Sequence, residues 1–125
     1  MEKSRQSKDQ QQISSLATSM VSAIAQDDSF DLATKAATAD ITFELSKTNL
    51  TTKTSATIES TFAELCGQAD TDAVVTKVKS KFTSKKAKAS GNKLYVTLKA
   101  DGSVTIDLGT AAGTPASAKL TVTTE

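Results

Sequence analysis

Between Lys93 and Gly109 the chain reads KLYVTLKADGSVTIDLG, two runs of alternating apolar and polar residues on either side of a turn. Alternation with period two sends successive side chains to opposite faces of a strand, and a slip of one residue exchanges the faces. A loop of only Asp101 and Gly102 sets Leu98 opposite Thr105 and Val96 opposite Asp107, which mixes the two faces. A loop of Ala100, Asp101 and Gly102 instead pairs Leu98 with Val104, Val96 with Ile106 and Leu94 with Leu108. The other face then carries Lys99 with Ser103, Thr97 with Thr105 and Tyr95 with Asp107. This second register is predicted, with Gly102 in the left-handed region that only glycine enters without strain. The pattern returns in Ala118, Leu120 and Val122, with Lys119, Thr121 and Thr123 facing outward. A three-stranded antiparallel meander with one apolar face is the expectation.

Upstream the period lengthens. Ile13, Leu16, Ala17, Met20, Val21 and Ile24 recur at helical spacing, so residues from Asp9 to Gln26 read as an amphipathic helix. The segment before it, Met1 to Lys8, is short and charged without an apolar anchor, and a disordered tail is expected. Asp27, Asp28 and Ser29 break the pattern, and either Asp28 or Ser29 suits the cap of a following helix. Phe30, Ala33, Ala37, Ile41 and Leu45 continue a helix, whereas Ile41, Phe43 and Leu45 alternate like a strand. Alanine richness favours a helix from Phe30 to about Lys47, with Ile41 to Thr57 open between helix and strand. Asn49 to Thr54 reads as a polar connection. Ile58, Phe62 and Leu65, followed by Gly67, mark a helix from about Ser55 to Cys66. Val74, Val75, Val78 and Phe82 mark another from about Thr71 to Thr83. The fold class is therefore α+β, with three or four N-terminal helices packed on the C-terminal meander in a single domain over residues 9–125.

Ile, Leu, Val and Phe supply about a fifth of the 125 residues, while Thr, Ala and Ser supply about two fifths. Small side chains bury little area each, so burial between subunits would add to a modest core. The net charge of +1 conceals an asymmetry. Residues 1–72 carry six Lys and Arg against eleven Asp and Glu, and residues 73–125 carry nine Lys against three acids. A chain so polarised attracts polyanions at one end or stacks on copies of itself through opposite patches.

Catalysis is not expected. Histidine is absent, which removes the commonest general base and metal ligand. No phosphate-binding glycine loop and no nucleophile elbow occurs, and neither cofactor nor metal is expected. Asp27, Asp28 and Asp31, like Asp70 and Asp72, read as helix-capping acids. The lone Cys66 has no partner for a disulfide or a CxxC pair and reads as a half-buried thiol on a helix face. MEKSRQSKDQQQ lacks the apolar segment of a secretory leader and no window suits a membrane span, so synthesis in the cytoplasm is expected.

The remaining constellation is basic. Lys77, Lys81, Lys85 and Lys88 recur at helical spacing, and Lys86 and Lys93 extend the run into the hairpin, where Tyr95 and Lys99 share its polar face. These eight residues are the candidate contact surface for a polyanion or another subunit. Scarce arginine and few aromatics give little support for base readout. The composition resembles the general style of virion, tail and filament subunits without pointing to one family. Self-assembly as a structural subunit is the leading expectation, with nucleic-acid association through Lys77 to Lys93, or an adaptor binding one protein, as the alternatives.

Overall fold

The computed structural model describes residues 1–125. Six helices and five strands follow in the order α1 (Glu2–Ala25), α2 (Leu32–Lys35), β1 (Ile41–Glu44), α3 (Lys47–Lys53), α4 (Ala56–Leu65), α5 (Thr71–Lys81), α6 (Lys85–Lys88), β2 (Lys93–Leu98), β3 (Val104–Ala111), β4 (Thr114–Pro115) and β5 (Thr121–Thr124). Every helix after the first starts on a Ser or Asp cap. Asp31, Ser46, Ser55, Asp70 and Ser84 each accept from the backbone N–H three residues on. Each cap satisfies a donor that the helix itself leaves free and is worth about 1 kcal/mol. α4 ends as its sequence requires: Gly67 takes φ +73°, and the Gln68 and Gly67 N–H groups return to the Ala63 and Glu64 carbonyls.

The hairpin adopts the register its alternation dictates. Leu94, Val96 and Leu98 stand opposite Leu108, Ile106 and Val104, all of them buried, and Gly102 takes φ +92°. The sheet is larger than a three-stranded meander, however. β1 joins the outer side of β2, and both β4 and β5 pair with the far side of β3, giving five antiparallel strands. The last strand is shorter than Ala118 to Thr123 implies. Leu120 is buried, Ala118 is exposed, and strand pairing covers Thr121 to Thr124. Between them, β4 folds back so closely that a Cβ on Gly109 would stand 2.0 Å from the Thr114 carbonyl oxygen. Only glycine admits that approach.

The N-terminal half departs furthest from its sequence reading. Residues 2–8, expected as a tail, are the first two turns of α1, because tertiary partners hold their polar side chains. Gln6 accepts from Ser117 and Ser7 from Lys119, while the Glu2 carboxylate accepts from the Lys85 and Lys86 N–H groups. The expected helix from Phe30 to Lys47 is broken. Only Leu32 to Lys35 is helical, and Ile41 to Glu44 is a strand. Pairing of Ile41 with Leu98 and Phe43 with Val96 puts their side chains on the apolar face of the sheet, a gain that helix propensity cannot match. Asn49 to Thr54, expected as a connection, largely falls within α3, whose Leu50 is fully buried.

One continuous apolar cluster holds these parts together. Ile13, Leu16, Ala17, Met20 and Ala23 of α1 lie between β3 and β5 on one side and Ile58 and Phe62 of α4 on the other. The helices thus cover one face of the sheet. Its other face, bearing Thr42, Thr97, Thr105 and Thr123 in one row across four strands, stays polar.

Candidate functional site

The lysine run is divided by the fold. α5 stops at Lys81 and Phe82 turns to extended backbone, so the helical stripe from Lys77 to Lys88 does not form. The break has a chemical cause. Asp9, buried completely in α1, accepts from the Thr83 N–H at 2.9 Å and from the Ser84 N–H at 2.8 Å, and Ser84 then caps α6. Backbone donors that a continuous helix would have used are instead satisfied by a carboxylate seventy-odd residues away in sequence.

Three groups result. Lys85, Lys86 and Lys88 sit on α6, exposed, against the first turns of α1. The same end of the molecule carries the exposed Lys3, Arg5 and Lys8 of α1, and Lys119, whose Nζ lies 2.6 Å from Ser7 Oγ. Seven cations face two acids, Glu2 and Asp9, and both acids are turned onto backbone N–H groups rather than onto a cationic side chain. Hydrogen bonds from the Lys85 N–H and the Gln6 amide hold the Glu2 carboxyl below the usual range. This basic pole draws its cations from three separate chain segments. Lys3, Arg5, Lys8 and Lys119 were not among the residues singled out from sequence. Their signal was the segment from Glu2 to Gln12, free of Gly and Pro and made mostly of Glu, Lys, Arg and Gln, which needs no apolar residue once the helix is anchored elsewhere.

Lys77 and Lys81 form the second group. One turn apart on α5, they border a cleft between α1, α5 and the end of α4. Cys66 lies half-buried in this cleft beside the Ser19 hydroxyl, and burial pushes its thiol pKa up, so it stays protonated at neutral pH. The third group lies on the polar sheet face. Lys93 Nζ is 3.6 Å from Glu44 Oε1, the one ion pair of the molecule, and Tyr95 donates its hydroxyl to the Thr110 carbonyl. Lys99 stands at the opposite end of β2, beyond the reach of that pair. The eight candidate residues are therefore three surfaces rather than one.

At the other end of α1 the charge is reversed. Asp27, Asp28 and Asp31 follow its last turn, where Asp27 accepts from Ser55 Oγ at 2.7 Å and Asp31 caps α2. Hydrogen bonds from the Thr34 hydroxyl and N–H lower the Asp31 pKa. No cluster of three or more carboxylates or thiols has the geometry to hold a metal ion. No helix is long and apolar enough to cross a membrane. No protein family, curated protein or solved structure matches the chain.

Proposed function

We propose that the protein is a non-enzymatic, self-assembling structural subunit whose copies join pole to pole. The observation that carries this is the charge on α1. Its 24 residues span about 36 Å. The helix macrodipole favours acids at the N-terminus and cations at the C-terminus, yet at the former Glu2 is outnumbered by Lys3, Arg5 and Lys8, and Asp27 and Asp28 follow the latter. The dipole reinforces the separation of charge that it ordinarily offsets. An arrangement that works against the isolated helix is of use between molecules, where the basic pole of one copy meets the acidic pole of the next. Contacts of this head-to-tail kind continue from copy to copy as a filament or close into a ring. Abundant Thr, Ala and Ser suit close approach in such a lattice, as in a virion or a filament assembled in the cytoplasm.

Light scattering across a salt series tests the reading. Association at low ionic strength that reverses toward 1 M salt, where the Debye length falls to about 3 Å, is the expected result. The substitutions K85E, K86E and K88E together should abolish it while leaving the melting temperature nearly unchanged. A monomer at every salt concentration overturns the proposal.

The seven cations gathered from three chain segments favour a second reading, sequence-independent binding of nucleic-acid phosphates at the same pole. In that case affinity falls steeply with salt and the same triple variant loses it, because lysines contribute by releasing counterions. Self-association in the absence of nucleic acid separates the two.

A further inference from the structure

The cleft between α1, α5 and the end of α4 lies outside the charged poles, and its chemistry differs from theirs. Its floor is Leu16, Val74 and Val78, all buried in the core, and its volume is about 260 Å³. Small-molecule sites run from roughly 300 to 1,000 Å³, so this one is somewhat smaller than the usual range. At roughly 30 Å³ per water-sized group it holds about nine such groups. At its mouth stands Leu65, 46% exposed, the one large apolar side chain besides Met1 that the fold leaves in water. The rim carries Lys77 and Lys81 on the same face of α5, neither within ion-pair distance of a carboxylate, and no acidic residue lines the cleft. An apolar floor and mouth, polar walls of Gln12, Ser15, Ser19 and Gln68, and two cations on one side suit a molecule with an apolar body and one anionic end.

We infer that this cleft binds a small amphipathic anion: an unbranched or aromatic apolar body of about eight carbons ending in a carboxylate or a phosphate. The body lies on Leu16, Val74 and Val78 and draws Leu65 over it, while the anionic group stays at the rim between the Lys77 and Lys81 ammonium groups. Cys66, protonated and half-buried, contributes polarizable surface to the wall and no covalent chemistry. Two cations at the rim, with no carboxylate lining the cleft, exclude a cationic headgroup, and the shallow volume excludes long-chain lipids.

The test is an amide NMR titration of the full chain with octanoate and with octyl phosphate, which separates the two anion types, and with octanol and acetate as controls. The expected result is saturable shifts at Leu65, Cys66, Lys77, Val78 and Lys81 for either octyl anion, and much weaker ones for octanol and acetate. K77Q with K81Q should weaken the anions about fivefold to tenfold, the range of two partly exposed charge pairs, and leave octanol unchanged. Because both lysines are exposed, folding is retained, and circular dichroism checks it. S15W, which fills the cleft from its exposed wall, should abolish all shifts there. Three results overturn the inference: no shifts in the cleft, shifts centred on Lys85 and Lys86 instead, or equal affinity for octanol and octanoate. Shifts in the cleft on raising the protein concentration alone would assign it to a second copy and overturn it as well.

Discussion

The β2–β3 hairpin and the first two turns of α1 are both well formed, for opposite reasons. In the hairpin, each strand supplies the partner for the other, and three apolar pairs lie within sixteen residues of sequence. In the first turns of α1 no residue is apolar after Met1, and every side-chain hydrogen bond to another part of the chain goes to residues 83–86 or 117–119. One region carries its structure in its own pattern. The other borrows it from chain that is distant in sequence. Polarity alone therefore does not mark a terminus as mobile when acceptors in it face free backbone donors elsewhere.

Asp9 is where that comparison is most open to breakage. D9A leaves the Thr83 and Ser84 N–H groups without their acceptor in a buried position and should cost about 2–3 kcal/mol in urea unfolding. D9N retains one acceptor oxygen and should cost clearly less. The same D9A chain should exchange its amides at residues 2–8 faster while residues 94–108 keep theirs, which confines the damage to the borrowed region. Uniform loss of protection would show the two regions to be one cooperative unit.

G102V acts on the hairpin. A β-branched residue at φ +92° strains the backbone without meeting any atom, because a Cβ there has open space around it. A loss of about 1–2 kcal/mol is expected from backbone strain alone. Unchanged stability would contradict the loop assignment. A change in m-value would instead point to a slipped register.

The smallest expected effect is at Glu2. Its folded-state pKa is lowered, so its contribution is present above the ordinary carboxyl range near 4.3 and is lost as pH falls through the lowered value. Tryptic cleavage at Lys3, Arg5 and Lys8 should therefore accelerate in E2Q at neutral pH, with little change in global melting because the carboxyl is at the surface.

How far the sequence could be read follows from where each element finds its partners. α4 was legible because Ile58 and Phe62 repeat at helical spacing between the Ser55 cap and the Gly67 stop, and α5 because Val74 and Val78 follow the Asp70 cap, whereas the end of α5 is set from a distance by Asp9. β1 was ambiguous, since Ile41, Phe43 and Leu45 satisfy both periods over so short a stretch, and only an open edge on β2 selects the strand. The basic site was legible in composition but not in shape. Sequence spacing joined Lys77 to Lys88 in one stripe, and a carboxylate from α1 cut the helix that would have carried it.

The order of residues alone specifies the register of β2 against β3, the glycine turn at Gly102, the capped starts of α4 and α5 and the separation of charge along the chain. These depend on periodicity and on residues within a few positions of one another. Only the tertiary structure decided that Lys3, Arg5, Lys8 and Lys119 join Lys85, Lys86 and Lys88 in one pole, and that Lys77 and Lys81 face a cleft apart from them. Those outcomes rest on buried carboxylates and backbone donors far apart in sequence, and a one-dimensional pattern does not record which of them meet.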